Sequence, residues 1–223
     1  MTDQRTRHGI QILLLYSAFF LFSFSSLPCP GQQDPSNLDV TLFRRINDGR
    51  SPFLDKVVNV NNELFYPVGT VAPLGFLSYG ILSGSEYETD TGILASVAEI
   101  VSYGVSYGLK QIVKRPRPFV TLPNVHVTSM SSADSYSLPS GHAAGAFALA
   151  TSLTLRYPKP AVYVPLHLWA MLVSYGRVYR GVHYPSDVLV GGAIGSGTAI
   201  VVHLLEDRIL GLKSKIFGES GQG

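Results

Sequence analysis

The sequence predicts an all-α fold, a six-helix bundle spanning a membrane with its candidate site at one end of the bundle. Three observations carry that expectation. Charged residues make up only 14% of the 223-residue chain, against roughly 25% in soluble domains. Those charges are unevenly placed: residues 9–33, 64–85, 135–155, 160–176 and 188–205 hold no Asp, Glu, Lys or Arg, and 91–109 holds only Glu99. A bilayer-crossing helix needs about 20 mostly apolar residues, so the six stretches read as six spans. Finally, the residues able to do chemistry gather where these stretches begin or end.

A soluble helical domain behind a cleaved signal peptide stays open beside this, because buried core helices are apolar too and the mean hydropathy is only +0.21. The first stretch fits both readings. Arg5 and Arg7 precede an apolar run from Ile10 to Leu27, which is how a signal peptide or a first membrane helix begins. Residues 1–31 are therefore assigned to one or the other, and Cys29 within them reads as inert. A single cysteine excludes an internal disulfide and a cysteine-based metal cluster.

Residues 32–63 form a mixed-charge amphipathic segment. Leu42, Phe43 and Ile46, then Phe53, Leu54, Val57 and Val58, recur at helical spacing. One or two short helices are expected, with Asn47-Asp48-Gly49 as the turn between them. Residues 64–212 make the bundle. Within it, residues 86–90 read as a short acidic turn, Pro158 and Pro160 separate two helices, and 119–134 is the longest irregular piece. Two glycine pairs, Gly104 with Gly108 and Gly191 with Gly195, offer close helix approach. Residues 213–223 read as a polar, flexible tail.

Orientation is not decided by charge. With the N-terminus inside, the inner segments carry seven Lys or Arg and the outer ones ten, of which three belong to the motifs below. A net charge of +2 argues against nucleic-acid binding. The expected partners are a membrane and a small anionic substrate, and the oligomeric state is left open.

Three strings carry the chemistry. In the first, Lys110 precedes Arg117-Pro118 by seven residues, so both cations fall on one helix face, and Pro116 ends the helix there. An ammonium and a guanidinium fork so spaced suit a phosphate. A basic cluster at a membrane surface is the plainer alternative, since Lys114 and Arg115 lie beside them. In the second, Pro139-Ser140-Gly141-His142, Ser140 reads as an N-cap whose helix start presents free backbone N–H groups to an anion. Gly141 allows close approach, and His142 falls in the first turn. In the third, Arg177 is followed by His183 and Asp187. Pro185 opens a helix, leaving His183 just before it and Asp187 in its first turn, where a carboxylate can orient an imidazole. Each string has a structural alternative in simple capping. Together, at three helix mouths on one side of a six-span chain, they read as one site.

The pattern K-x6-R-P, P-S-G-H and R-x5-H-x3-D resembles the type 2 phosphatidic acid phosphatase and haloperoxidase superfamily, in its lipid-phosphatase branch. Gly176 departs from the Ser that often precedes the arginine there. The resemblance implies a phosphatase needing no metal or cofactor, with His183 as nucleophile, His142 as general acid and Asp187 orienting His183. Lys110, Arg117, Ser140, Gly141 and Arg177 would bind the phosphate. Implied substrates are phosphatidic acid, phosphatidylglycerol phosphate or a polyprenyl diphosphate, met at the extracytoplasmic face of a multi-pass membrane protein. A secreted or periplasmic soluble acid phosphatase, a vanadate-dependent haloperoxidase and a non-catalytic lipid-binding protein are the alternatives. His8, His126, His167 and His203 read as structural or solvated. Glu99, a carboxylate in an apolar stretch, is left without a role.

Overall fold

The computed structural model describes residues 37–128 and 136–217. Residues 9–33, the first apolar stretch with its Cys29, lie outside them. Among the described residues there are eight helices and no strands: α1 Leu38–Asp48, α2 Pro52–Ser83, α3 Glu86–Val113, α4 Pro118–Thr121, α5 Gly141–Arg156, α6 Pro160–Tyr179, α7 Pro185–Leu204 and α8 Glu206–Phe217. The five charge-poor stretches that fall here became α2, α3, α5, α6 and α7.

Three local expectations change. The second half of the amphipathic segment does not stop at residue 63 but runs on into α2, a single helix of 32 residues. Ser51 caps it and Pro52 opens it, and nothing between Val58 and Leu64 breaks the pattern. Pro67 and Pro73 lie inside it. Residues 86–90 are not a turn but the start of α3, where Glu86 and Glu88 complement the positive end of the helix dipole. The turn sits one step earlier, at Gly84, whose φ of +68° is the left-handed conformation glycine adopts without penalty. The last helix reaches Phe217, beyond Lys213.

Helix α5 is the axis of the bundle. Ala143, Ala144, Ala146, Ala148 and Ala150 are completely buried, and this lack of bulk lets neighbours approach its backbone. Gly195 of α7 does so most closely: a Cβ there would lie 2.0 Å from the Ala144 carbonyl oxygen, and one at Gly191 would lie 2.4 Å from that of Ser140. Gly104 and Gly108 face open space instead. Only one of the two glycine pairs is a packing seam among the described residues.

Around α5 the outer helices turn large apolar side chains outward. Leu82, Ile100, Ile112 and Leu204 are each at least 65% exposed. α2, the stretch from α3 through α4, and α7 are long and apolar enough to cross a membrane. Apolar surface of this extent on such helices is a lipid-facing surface, so the chain is a membrane protein. Far from the motifs, buried Arg156 closes one end of the bundle, donating to Thr91 Oγ1 and pairing with Glu206. At the other end the start of α2, the end of α3, the start of α5, the end of α6 and the start of α7 converge, with α1 lying across them.

Candidate active site

The three strings meet at that converging end. Ser140 caps α5, and its own N–H donates 2.9 Å to the backbone carbonyl of Asp187 in the first turn of α7. That bond ties two helix mouths together, and it forms because Gly191 carries no side chain between them. His142 then stands in the first turn of α5, its ring stacked on Phe65 (4.3 Å between centroids, 22°) and against the edge of Tyr66.

Before α7, His183 is only 2% exposed. Its Nε2 lies 3.3 Å from Arg117 Nη1, and its Nδ1 is 3.5 Å from Asp187 Oδ2 without the alignment of a hydrogen bond. Arg117, the N-cap of α4, also donates 2.8 Å to the Val182 carbonyl. Lys110, in the last turn of α3, donates 2.6 Å to the Tyr136 carbonyl and 3.3 Å to that of Ser137, steadying the backbone that leads into Ser140. Arg177 donates 2.7 Å to Asn62 Oδ1 while its buried Nε has no partner among the described residues.

All eight residues singled out from the sequence are thus gathered here. Burial and the charges of Arg177, Arg117 and Lys110 hold the His183 imidazole well below its usual range, in the neutral form. The same Arg177 and Arg117, with Arg180 and His183, are the charged and titratable neighbours of His142. A concentration of cations around two imidazoles and one helix N-terminus is built to receive an anion.

Sequence reasoning missed several parts. Arg115, named from the sequence only in the alternative of a basic cluster at a membrane surface, is largely buried and bridges two carboxylates: Nη1 donates 2.8 Å to Asp187 Oδ1 and Nη2 donates 2.7 Å to Asp39 Oδ2. Asp39, on α1, also accepts from the Ser186 N–H and hydroxyl. Asp187 Oδ2 is occupied by the Tyr184 N–H at 2.7 Å, so this carboxylate braces the helix start as well as facing His183. Arg180 adds a buried cation held by Asn59 of α2. The run of asparagines at 59, 61 and 62 in an apolar helix was the available signal. Of the other histidines, His126 exchanges two backbone bonds with the Asn47 amide, His167 Nδ1 lies 2.9 Å from the Tyr163 carbonyl and His203 lies 3.3 Å from Glu206. His8 is outside the described residues.

Comparison with known proteins shows the family of the chain. The PAP2 superfamily model matches residues 91–209, more than half of the chain. A lipid A 4'-phosphatase of Bacteroides thetaiotaomicron is 26% identical over 169 residues, covering 72% of this chain and 73% of that protein. An undecaprenyl-diphosphatase of Sulfolobus acidocaldarius is 34% identical over 105 residues, about half of each chain (47% and 50%). The crystal structure of a transmembrane PAP2-type phosphatidylglycerolphosphate phosphatase from Bacillus subtilis shares the fold with a TM-score of 0.64 at 22% identity, covering 90% of this chain and 96% of that one.

Proposed function

The chain belongs to the PAP2 superfamily, and from that premise we propose that it hydrolyses a lipid phosphate monoester or diphosphate through a phosphohistidine intermediate. The observation that carries this reading is the placement of His183 between Arg117 and Asp187, at a mouth shared by α5 and α7. A phosphate entering there exchanges the Arg117 contact of Nε2 for one to its own phosphorus. Nε2 attacks, the bond from phosphorus to the leaving oxygen breaks, and His142 donates a proton to that oxygen. Water then attacks phosphorus, His142 takes its proton, and the phosphorus–nitrogen bond breaks to release His183 and phosphate.

Lys110, Arg117 and Arg177 stabilise the charge on the equatorial oxygens, with the Ser140 hydroxyl and the Gly141 N–H completing the cradle. Asp187 orients His183. The apolar outer surface favours a lipid substrate met within the membrane, and the resemblance favours the extracytoplasmic face. If residues 9–33 cross once from an N-terminus inside, the site end of α2 lies outside.

The test is phosphate release by purified protein from phosphatidic acid, phosphatidylglycerol phosphate and a polyprenyl diphosphate, with His183→Ala and His142→Ala alongside. Loss of turnover in both variants is expected, and a phosphorylated protein should be trapped by a rapid quench in alkaline denaturant, which spares the phosphorus–nitrogen bond, in the parent and not in His183→Ala. Normal turnover in either variant sinks the mechanism.

A further inference from the structure

Between α2 and α3, on the outer flank of the bundle, runs a cleft of about 270 Å³ whose walls include Phe65, Tyr66 and Gly69 from α2 and Glu99, Ile100 and Tyr103 from α3. Its rim is exposed and apolar, with Ile100 70% and Tyr66 63% exposed. Its inner end, at Phe65 and Tyr103, borders the proposed phosphate site. Phe65 is the ring on which His142 stacks. Tyr103 lies 4.0 Å from where a Gly141 side chain would begin, so a molecule lying in this cleft lies against both walls of the catalytic mouth.

Among the described residues the cleft holds one charged side chain. Glu99 is 8% exposed, and among the described residues its carboxyl group makes no hydrogen bond. Ser102 bonds the Glu99 backbone carbonyl, not the side chain. The carboxyl is aimed across the cleft at Gly69, where a Cβ would stand 3.2 Å from Oε1. A larger residue than glycine at 69 would press on it. An acceptor left unpaired in an apolar span is costly, and among the described residues the cleft is the open space that it lines.

We infer that Glu99 is a specificity residue that accepts a hydrogen bond from a hydroxyl or amide N–H in the lipid portion of the substrate. The inference rests on the phosphatase reading above and narrows it. The preferred substrate is a lipid phosphate with a donor in its backbone or proximal chain, not a bare polyprenyl chain. Either protonation state of a carboxyl group retains an acceptor oxygen, so the contact does not depend on charge. A polyprenyl tail or a plain diacyl tail would fill the cleft with C–H groups and leave Glu99 unpaired, and such a mismatch weakens binding relative to the polar partner by about ten-fold or more.

The experiment measures kcat/KM of the full chain in detergent on ceramide 1-phosphate, which carries an amide N–H and a hydroxyl, and on chain-matched phosphatidic acid, which carries neither. Farnesyl diphosphate is a third substrate, and every rate is normalised to p-nitrophenyl phosphate hydrolysis by the same preparation. The parent should prefer ceramide 1-phosphate by about ten-fold or more. Glu99→Leu should abolish that preference through KM, and Glu99→Gln, which keeps an acceptor, should retain most of it. Gly69→Ala, which crowds the carboxyl without touching it chemically, should reduce it too. A parent indifferent between the two lipids overturns the inference, as does a Glu99→Leu variant with the preference intact or with an equal fall on every substrate. Failure of the parent on all four substrates, p-nitrophenyl phosphate included, sinks the phosphatase reading and the inference with it.

Discussion

Arg115 Nη1 donates 2.8 Å to Asp187 Oδ1, and this contact links the carboxylate facing His183 to α1 through the second arm of the same guanidinium on Asp39. Asp187 is fully buried, and Arg115 stacks over the Tyr184 ring at 4.0 Å. The charge of Asp187 is therefore matched mainly by Arg115. His183, lying 3.5 Å from it, is left neutral.

Removing that match should be severe. Arg115→Gln leaves a buried carboxylate uncompensated, a loss of about 3–5 kcal/mol, visible as a lowered melting temperature in detergent. Asp39→Asn keeps Arg115 on Asp187 and should cost less, about 1–3 kcal/mol. Equal stability of Arg115→Gln and the parent would contradict the bracing role.

The pH dependence follows from His183. Burial first, then the cations Arg177, Arg117 and Lys110, hold it well below the usual imidazole range. The unfolded chain takes up that proton near pH 6.5 while the folded chain does not. Stability from this group is therefore undiminished above about pH 6.5 and falls as the pH drops below it. For the same reason the acid limb of kcat/KM due to His183 should lie below about pH 6.5, and Arg177→Gln should move it upward while slowing turnover about 10²–10³-fold. A pH–rate profile of both proteins checks the direction.

His142 is expected to matter in proportion to how poor the leaving group is. In kcat/KM, which reports the step that expels the leaving group and not the later attack of water, His142→Ala should cost about 10²–10⁴-fold on an alkyl phosphate and much less on p-nitrophenyl phosphate, whose phenolate leaves without a proton. Equal losses on both would remove the general-acid role.

The two glycine pairs should behave in opposite ways. Gly195→Ala drives a Cβ into the Ala144 carbonyl and should cost about 1–3 kcal/mol or more, measured by thermal unfolding in detergent. Gly104→Ala meets nothing within 4 Å and should be neutral or gain up to about 1 kcal/mol from helix propensity.

Much of the site was legible from local signals. Ser140 as an N-cap, Pro185 as a first helical residue and the chain break around Pro158 are written in neighbouring residues, because helix ends are decided by groups within one turn. The glycine pairs show the limit of such signals. Both have the same spacing on helices, and among the described residues only one faces another helix, since spacing defines a face and says nothing of what covers it.

By itself, the sequence determined where most of the helices lie and which three strings carry cations and imidazoles, and it left open whether the apolar faces meet lipid or a soluble core. The tertiary structure decided how those groups are held. Asp39 and Arg115 are 76 positions apart, Arg180 and Asn59 are 121 apart, and Arg177 and Asn62 are 115 apart. Partners of buried polar groups at such separations leave no periodic trace in the chain, because each is chosen by the need to satisfy a desolvated donor or acceptor once the helices have packed. The open carboxyl of Glu99 belongs to the same class. Its apolar neighbours in sequence mark it as costly, and only the cleft against α2 shows what it faces.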